Sequence, residues 1–161
     1  MIGGRTMELQ TTRFGRLETL EIPEQMVLEF PHGLPGFESH KSFALIDEAR
    51  YLPFRWLQSL GDPYVAFMVI DPELVIGAYN VDVTELDVEC LELVKGNDPE
   101  ILCILVMPED VRSATINLKA PIVVNRSSQR GKQVILTDER YPLRYRAFNP
   151  EASGKPAANP C

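Results

Sequence analysis

Apolar residues in this chain fall in short stretches, and almost every stretch ends at Gly, Pro, Asn or Asp. That punctuation predicts many short β-strands separated by turns. Residues 7–14 and 16–22, on either side of Gly15, predict an opening hairpin. Further strands are predicted over residues 26–30, 42–46, 54–59 (with the only tryptophan, Trp56), 65–70, 101–107, 114–118, 121–125 and 132–136. The runs 65–70 and 101–107 are apolar throughout, as in central strands covered on both faces, whereas the N-terminal stretches alternate as half-exposed strands do. Turn signals recur about every ten residues, the spacing of a sandwich or barrel. So many strands in one short chain favour closure, which removes unpaired edges. The fold expected is mainly β: a small antiparallel β-barrel-like domain with one or two short helices.

One helical segment stands out, over residues 84–95. Asp82 or Thr84 can cap it, and Asp82 with Glu85 has capping-box spacing. Leu86, Cys90, Leu93 and Val94 then share a face predicted to point inward, and Glu85, Glu89 and Glu92 point outward. Lys95 suits the last turn and Gly96 the stop.

Length and composition support one soluble domain. The chain has 161 residues, 45% hydrophobic and 24% charged. Residues 1–6 read as a flexible N-terminal extension with Met7 as an alternative start, residues 7–146 as a single β domain, and residues 147–161 as a disordered tail of Pro, Ala, Gly, Ser and Asn. No apolar run has the length of a membrane span or a signal peptide, so a cytoplasmic location is expected. The three cysteines, Cys90, Cys103 and Cys161, are odd in number and form no Cys-x-x-Cys pair. Cys103 reads as a core residue, Cys90 as part of the helix's inner face and Cys161 as exposed.

Charge changes the picture more than composition does. The net charge is −7. Residues 71–110 hold eleven acids and a single base, Lys95, for −10; residues 111–161 hold three acids and nine bases, for +6. The acidic block repels nucleic acid and attracts basic protein surfaces, or is simply a solvated face. The basic stretch carries no nucleic-acid-binding motif, so direct binding to RNA or DNA is not expected.

Catalytic and cofactor patterns are missing from the sequence. There is no Gly-x-Ser-x-Gly elbow, no His-Glu-x-x-His or Cys/His cluster, and no Gly-rich phosphate loop. The enzyme alternative is a small hydrolase-like β-barrel using His32 and a carboxylate. No cofactor or metal is expected. The loop Phe30-Pro31-His32-Gly33-Leu34-Pro35-Gly36-Phe37 is stiffened by its prolines, and its glycines permit positive φ. Its Leu34 and Phe37 either plug one end of the barrel or anchor a partner. Asp62-Pro63 and Asp71-Pro72 read as turns bracketing one strand. In Asn117-Leu118-Lys119-Ala120-Pro121, Lys119 is either a partner contact or a solvated cation, and the segment 120–123 is a second candidate anchor. Residues 126–132 form a basic turn, suited to holding an acidic group or simply to solubility.

Taken in order and spacing, these segments resemble the FliW family of flagellar assembly factors. The residues concerned are Phe14-Gly15, Phe30 through Phe37, Trp56-Leu57-Gln58-Ser59, Asp62-Pro63, Ala66-Phe67, Asp71-Pro72, Asn117 through Asn125, Gly131-Lys132-Gln133 and Tyr141-Pro142. The resemblance implies a β-barrel-like fold without a cofactor and a non-enzymatic partner switch. Such proteins bind flagellin in the cytoplasm and, when free, bind and antagonise a CsrA-type RNA-binding translational repressor, so coupling flagellin translation to export. With that partner in view, Glu85, Asp87, Glu89 and Glu92, with Asp98 and Glu100, are the acids expected to meet a basic repressor surface.

Overall fold

The computed structural model describes residues 4–148. The disorder expected of residues 149–161 and the exposure expected of Cys161 lie outside that range. Within it, the boundaries of both terminal segments move. The first strand begins at Thr6, and Arg5 O accepts a hydrogen bond from Glu24 N–H at 2.9 Å. Ala147 N–H donates to Ala114 O at 2.9 Å, and the Phe148 and Phe54 rings lie 6.1 Å apart.

In chain order the elements are β1 (Thr6–Thr11), β2 (Glu18–Pro23), β3 (Val27–Glu29), β4 (Ser42–Ile46), β5 (Arg55–Ser59), β6 (Ala66–Ile70), α1 (Glu73–Ile76), α2 (Glu85–Leu91), β7 (Glu100–Val106), β8 (Thr115–Ile116), β9 (Ile122–Asn125), β10 (Arg130–Gln133) and β11 (Tyr145–Arg146). Strands β3 to β7, β10 and β9 form a closed ring, because β7 pairs with β9 as well as with β6. Neighbours in the ring are antiparallel except β3 and β10, which meet in parallel at Glu29 and Arg130. The fold is therefore mainly β, a closed seven-stranded barrel with two short helices. Strands β8 and β11 continue the sheet from the far end of β7, and β1 with β2 forms a separate hairpin.

Side chains alternate across the ring with the period of two that a strand imposes. Phe43 and Leu45 of β4, Leu57 of β5, Val69 of β6, Leu102 of β7 and Ile122 and Val124 of β9 point inward and fill the barrel with Leu28 and Phe30. Each such side chain contributes about 1.5–3 kcal/mol when fully buried. The intervening residues point outward and are covered again. Ala44, Ile46 and Trp56 lie beneath Leu9 and Ile22 of the hairpin. Ile70, Cys103, Leu105 and Val123 lie beneath Tyr79, Leu91, Leu118, Leu136 and Tyr141. The continuous apolar runs of β6 and β7 reflect this double covering.

The hairpin is pinned at its tip by Arg13. Its guanidinium carbon lies 4.5 Å from the Phe14 ring centre and 4.9 Å from that of Trp56, and it pairs with Glu48 and, at 3.5 Å, with Glu18. Both Asp-Pro turns form as expected, Asp62 Oδ1 accepting from Tyr64 N–H and Asp71 Oδ1 from Glu73 N–H, each at 2.9 Å. The second turn leads into α1, a helix the apolar periodicity did not reveal because it is only one turn long. Strand β10 starts two residues earlier than predicted and ends at Gln133; beyond it Val134 and Leu136 still donate to Pro121 O and Lys119 O.

Where β10 crosses the barrel, Gly131 lies directly over Phe30. A Cβ there would stand 2.4 Å from Phe30 Cζ. Gly131→Ala is expected to lower stability by about 1–3 kcal/mol, the usual cost of overpacking. Gly61→Ala, whose Cβ would meet only Ser59 Oγ at 3.8 Å, should change it by less than about 1 kcal/mol. Urea unfolding of both variants, and partial recovery of Gly131→Ala by Phe30→Leu, checks the close approach.

Candidate partner-binding surface

Helix α2 and its C-cap Glu92 carry four of the six acids singled out in the acidic block, and the N-cap decides which of them reach the surface. Thr84, not Asp82, is the N-cap. Its hydroxyl accepts from Asp87 N–H at 3.1 Å while the Asp87 carboxylate accepts from Thr84 N–H at 3.0 Å, a reciprocal capping box. Asp87 is also 2.7 Å from Lys132 Nζ of β10. This ion pair and Leu91, one turn later and fully buried, form the face that packs on the barrel. The inward face predicted from Leu86, Cys90, Leu93 and Val94 is corrected accordingly: Leu86 is 73% exposed and Val94 64%, while Cys90 and Leu93 are half-buried. The helix also stops at Leu91 rather than continuing to residue 95, with Glu92 in the left-handed region at φ 55.

The C-terminal carbonyls of α2 are held by the turn after β9. Asn125 Nδ2 donates to Leu91 O at 2.8 Å and Glu92 O at 3.2 Å, Ser128 Oγ donates to Leu91 O at 2.8 Å, and Arg130 donates to Cys90 O at 3.0 Å. The basic turn of residues 126–132 therefore seats a helix end, where carbonyls lack intrahelical partners.

Several of the candidate residues are consumed by the fold. Asp87 is 4% exposed and belongs to the packing face, not to the surface. Burial opposes its ionisation, but the Lys132 ammonium and the Thr84 N–H and hydroxyl outweigh it and hold its carboxyl below the ordinary value. Glu100 bridges Arg126 at 2.8 Å and Arg55 at 2.5 Å. Its partial burial is likewise outweighed by the two guanidiniums, which lower its pKa.

Leu34 is 2% exposed and closes one end of the barrel, so of the two readings of its loop the plug is the one realised there. Phe37 is half-buried beside it; its N–H donates to Leu34 O at 2.7 Å and its ring meets Phe67 edge-on at 5.1 Å. Gly33, at φ 64, makes this possible, since a Cβ there would come within 2.7 Å of the Glu38 backbone. In the segment 120–123, Ala120, Ile122 and Val123 are buried, so it is core and not an anchor. Lys119 is exposed at the tip of a turn in which Asn117 Oδ1 accepts from Lys119 N–H and Ala120 N–H, each at 3.0 Å.

What remains at the surface is Glu85, Glu89 and Glu92 together with Leu86 and, at 39% exposure, Val88, all on or beside α2; Asp98 is exposed further along. Among the described residues, only Glu92 of these acids has a cation within salt-bridge distance, Arg130 at 3.6 Å. An acidic helix face interrupted by exposed aliphatic side chains combines long-range steering with an apolar contact. Leu86 was the residue missed. The signal for it was Thr84-x-x-Asp87, which turns the helix so that residues 87 and 91 face inward.

His32 is exposed on the plug loop, and the Cys103 thiol is pushed up to about 12 by burial. Among the described residues no group of three or more His, Cys, Asp or Glu side chains is placed to hold a metal, and no helix is long and apolar enough to cross a membrane.

The family model for the FliW protein matches residues 8–147. The chain belongs to the FliW family. It is 41% identical over 129 residues to the flagellar assembly factor FliW of Caldicellulosiruptor saccharolyticus, which covers 80% of this chain and 84% of that one. It is 36% identical over 143 residues to the protein of the same name from Desulfitobacterium hafniense strain Y51, covering 89% and 92%. A crystal structure of the flagellar assembly factor FliW superposes with a TM-score of 0.80 at 32% identity, over 91% of this chain and all of that one. As a member of that family the chain is a flagellar assembly factor and not an enzyme.

The Asp87–Lys132 pair makes a pH-dependent contribution to stability. Because the folded carboxyl titrates below its ordinary value of 3.8, its contribution is present above that value and is lost as the pH falls through the lowered folded value. Asp87→Asn is expected to cost about 1–3 kcal/mol at pH 7. It should also flatten the fall in stability below pH 5 relative to the parent. Chemical denaturation at a series of pH values measures both.

Proposed function

We propose that this FliW protein binds flagellin in the cytoplasm and, when flagellin has been exported, binds a CsrA-type RNA-binding translational repressor and relieves its repression of flagellin translation. Membership of the FliW family supports the assignment to flagellar assembly. The observation that carries the partner reading is the exposed face of α2, where Glu85, Glu89 and Glu92 lie between Leu86 and Val88. A repressor that binds RNA does so through basic surface, and an acidic helix steers such a surface toward itself and away from phosphate. The flanking aliphatic side chains supply the desolvated contact that charge alone does not. Phe37 and Lys119, both accessible, belong to other parts of the surface and are kept as lesser candidates for the flagellin contact.

The test mixes the purified chain with flagellin and with a CsrA-type dimer and sizes the products by light scattering. Complexes with each are expected. Charge reversal of Glu85, Glu89 and Glu92 to Lys should weaken repressor binding about tenfold or more at low salt and flatten its salt dependence. Unchanged affinity at low salt would reduce the acidic face to a solvated surface. His32→Ala should leave both interactions intact.

A further inference from the structure

The β1–β2 hairpin leaves a groove beside it that the reading above does not use. The groove, of about 470 Å³, runs between β2 and the end of β4. Its apolar wall is formed by Leu20, Ile22 and Met26, Leu45 and Ile46 border it from β4 but are themselves buried, and Glu21 and Asp47 stand exposed at its rim.

Among the described residues, both backbone edges along this groove lack a strand partner. The hairpin register runs from Thr6↔Pro23 to Thr11↔Glu18, and Glu24 N–H donates to Arg5 O. In an antiparallel pair the residues that exchange hydrogen bonds alternate with those that do not. Ile22, Leu20 and Glu18 therefore bond to β1, whereas the N–H and C=O groups of Thr19 and Glu21 point to the outer edge of β2, which no strand covers. The groove is lined by β2 and by no residue of β1, so it lies on that outer edge. Across it, β3 accompanies β4 only as far as Ala44, and the chain beyond runs on without a partner on that side.

The charge on the hairpin is the second observation. Glu8 and Glu21 stand directly opposite each other across the strands. Like charges in that position are destabilising. Among the described residues no cation is within salt-bridge distance of either; Glu21 is met only by the Thr6 hydroxyl, at 3.0 Å. The groove thus combines an unpaired strand edge, an apolar wall and the uncompensated charge of Glu21, while Asp47 on its rim pairs with Arg55 at 3.6 Å.

We propose that this groove takes an extended segment of another protein, with alternating apolar and basic side chains, as an added strand on β2. The segment's backbone pairs with Thr19 and Glu21. Its apolar side chains enter beside Leu20 and Met26, and its lysine or arginine side chains meet Glu21 and Glu8. This is β-strand addition, in which the main chain supplies affinity and alternate side chains supply selectivity. The proposal concerns a surface different from the α2 face and stands whether or not that face binds a repressor.

The test titrates the isotope-labelled full-length chain with a synthetic heptapeptide of alternating lysine and valine and follows the backbone amides by NMR. Saturable shifts centred on Thr19, Glu21, Leu45 and Asp47 are expected, with slowed hydrogen exchange at Glu21 and Thr19. N-methylation of the peptide amides that face β2 leaves charge and apolar surface in place and should lower affinity about tenfold or more. E21K should lower it similarly, and a glutamate–valine heptapeptide should not bind. Shifts that spread over α2 and are insensitive to N-methylation would mean binding by charge alone and would overturn the proposal. So would the absence of saturable shifts at β2.

Discussion

Everything in this molecule is arranged around the division of one edge of β7. On its other side β7 pairs with β6 alone. On this side Glu100–Leu102 pair with β9, and Leu105 and Val106 pair with β8. The first contact closes the ring and the second starts the ribbon that ends in β11. Between them Ile104 O accepts from Asn117 N–H at 2.9 Å, so the edge is used along its length. Closure pairs the two edges of the barrel sheet with each other, apart from the end of β4 beyond Ala44. It also forces one parallel contact, between β3 and β10, into an otherwise antiparallel ring.

The covering layers follow from that geometry. A ring of seven strands has an interior wide enough only for side chains, and its outward-facing residues are apolar too. The hairpin covers one side, pinned by the Arg13 guanidinium between aromatic rings, and α2 with the C-terminal segments covers another. The helix is held less by propensity than by polar groups from β9, β10 and the turn joining them: Lys132 at its start, Asn125, Ser128 and Arg130 at its end. Seating a seven-residue helix in this way fixes which of its side chains face solvent. The exposed face of the helix is thus determined by residues about forty positions away in sequence.

That dependence explains what the chain discloses in advance and what it conceals. The strands of the ring were legible because apolar runs and turn residues are local signals: Trp56, the runs through Val69 and Cys103, and the two Asp-Pro turns sit where the pattern put them. The order of the segments was enough to point to the family. The surface was less legible. Asp87 reads as a solvated acid until Lys132 is brought beside it, and Glu100 until Arg55 and Arg126 are. Leu34 reads equally well as anchor or plug, since the loop's stiffness is local but its direction is set by Phe43 and Phe67. Leu86 looked like core because the helical period places aliphatic residues on a face without saying what lies opposite.

The contact between Glu29 and Arg130 has a bearing on how the chain is made. A ribosome delivers β3 to β7 first, and their inward side chains have no finished enclosure to enter until β9 and β10 have followed. Contacts between positions so distant in sequence form late and slow the search for the native state. For that interval the nascent protein carries half-built sheet whose apolar side chains are open to other growing chains.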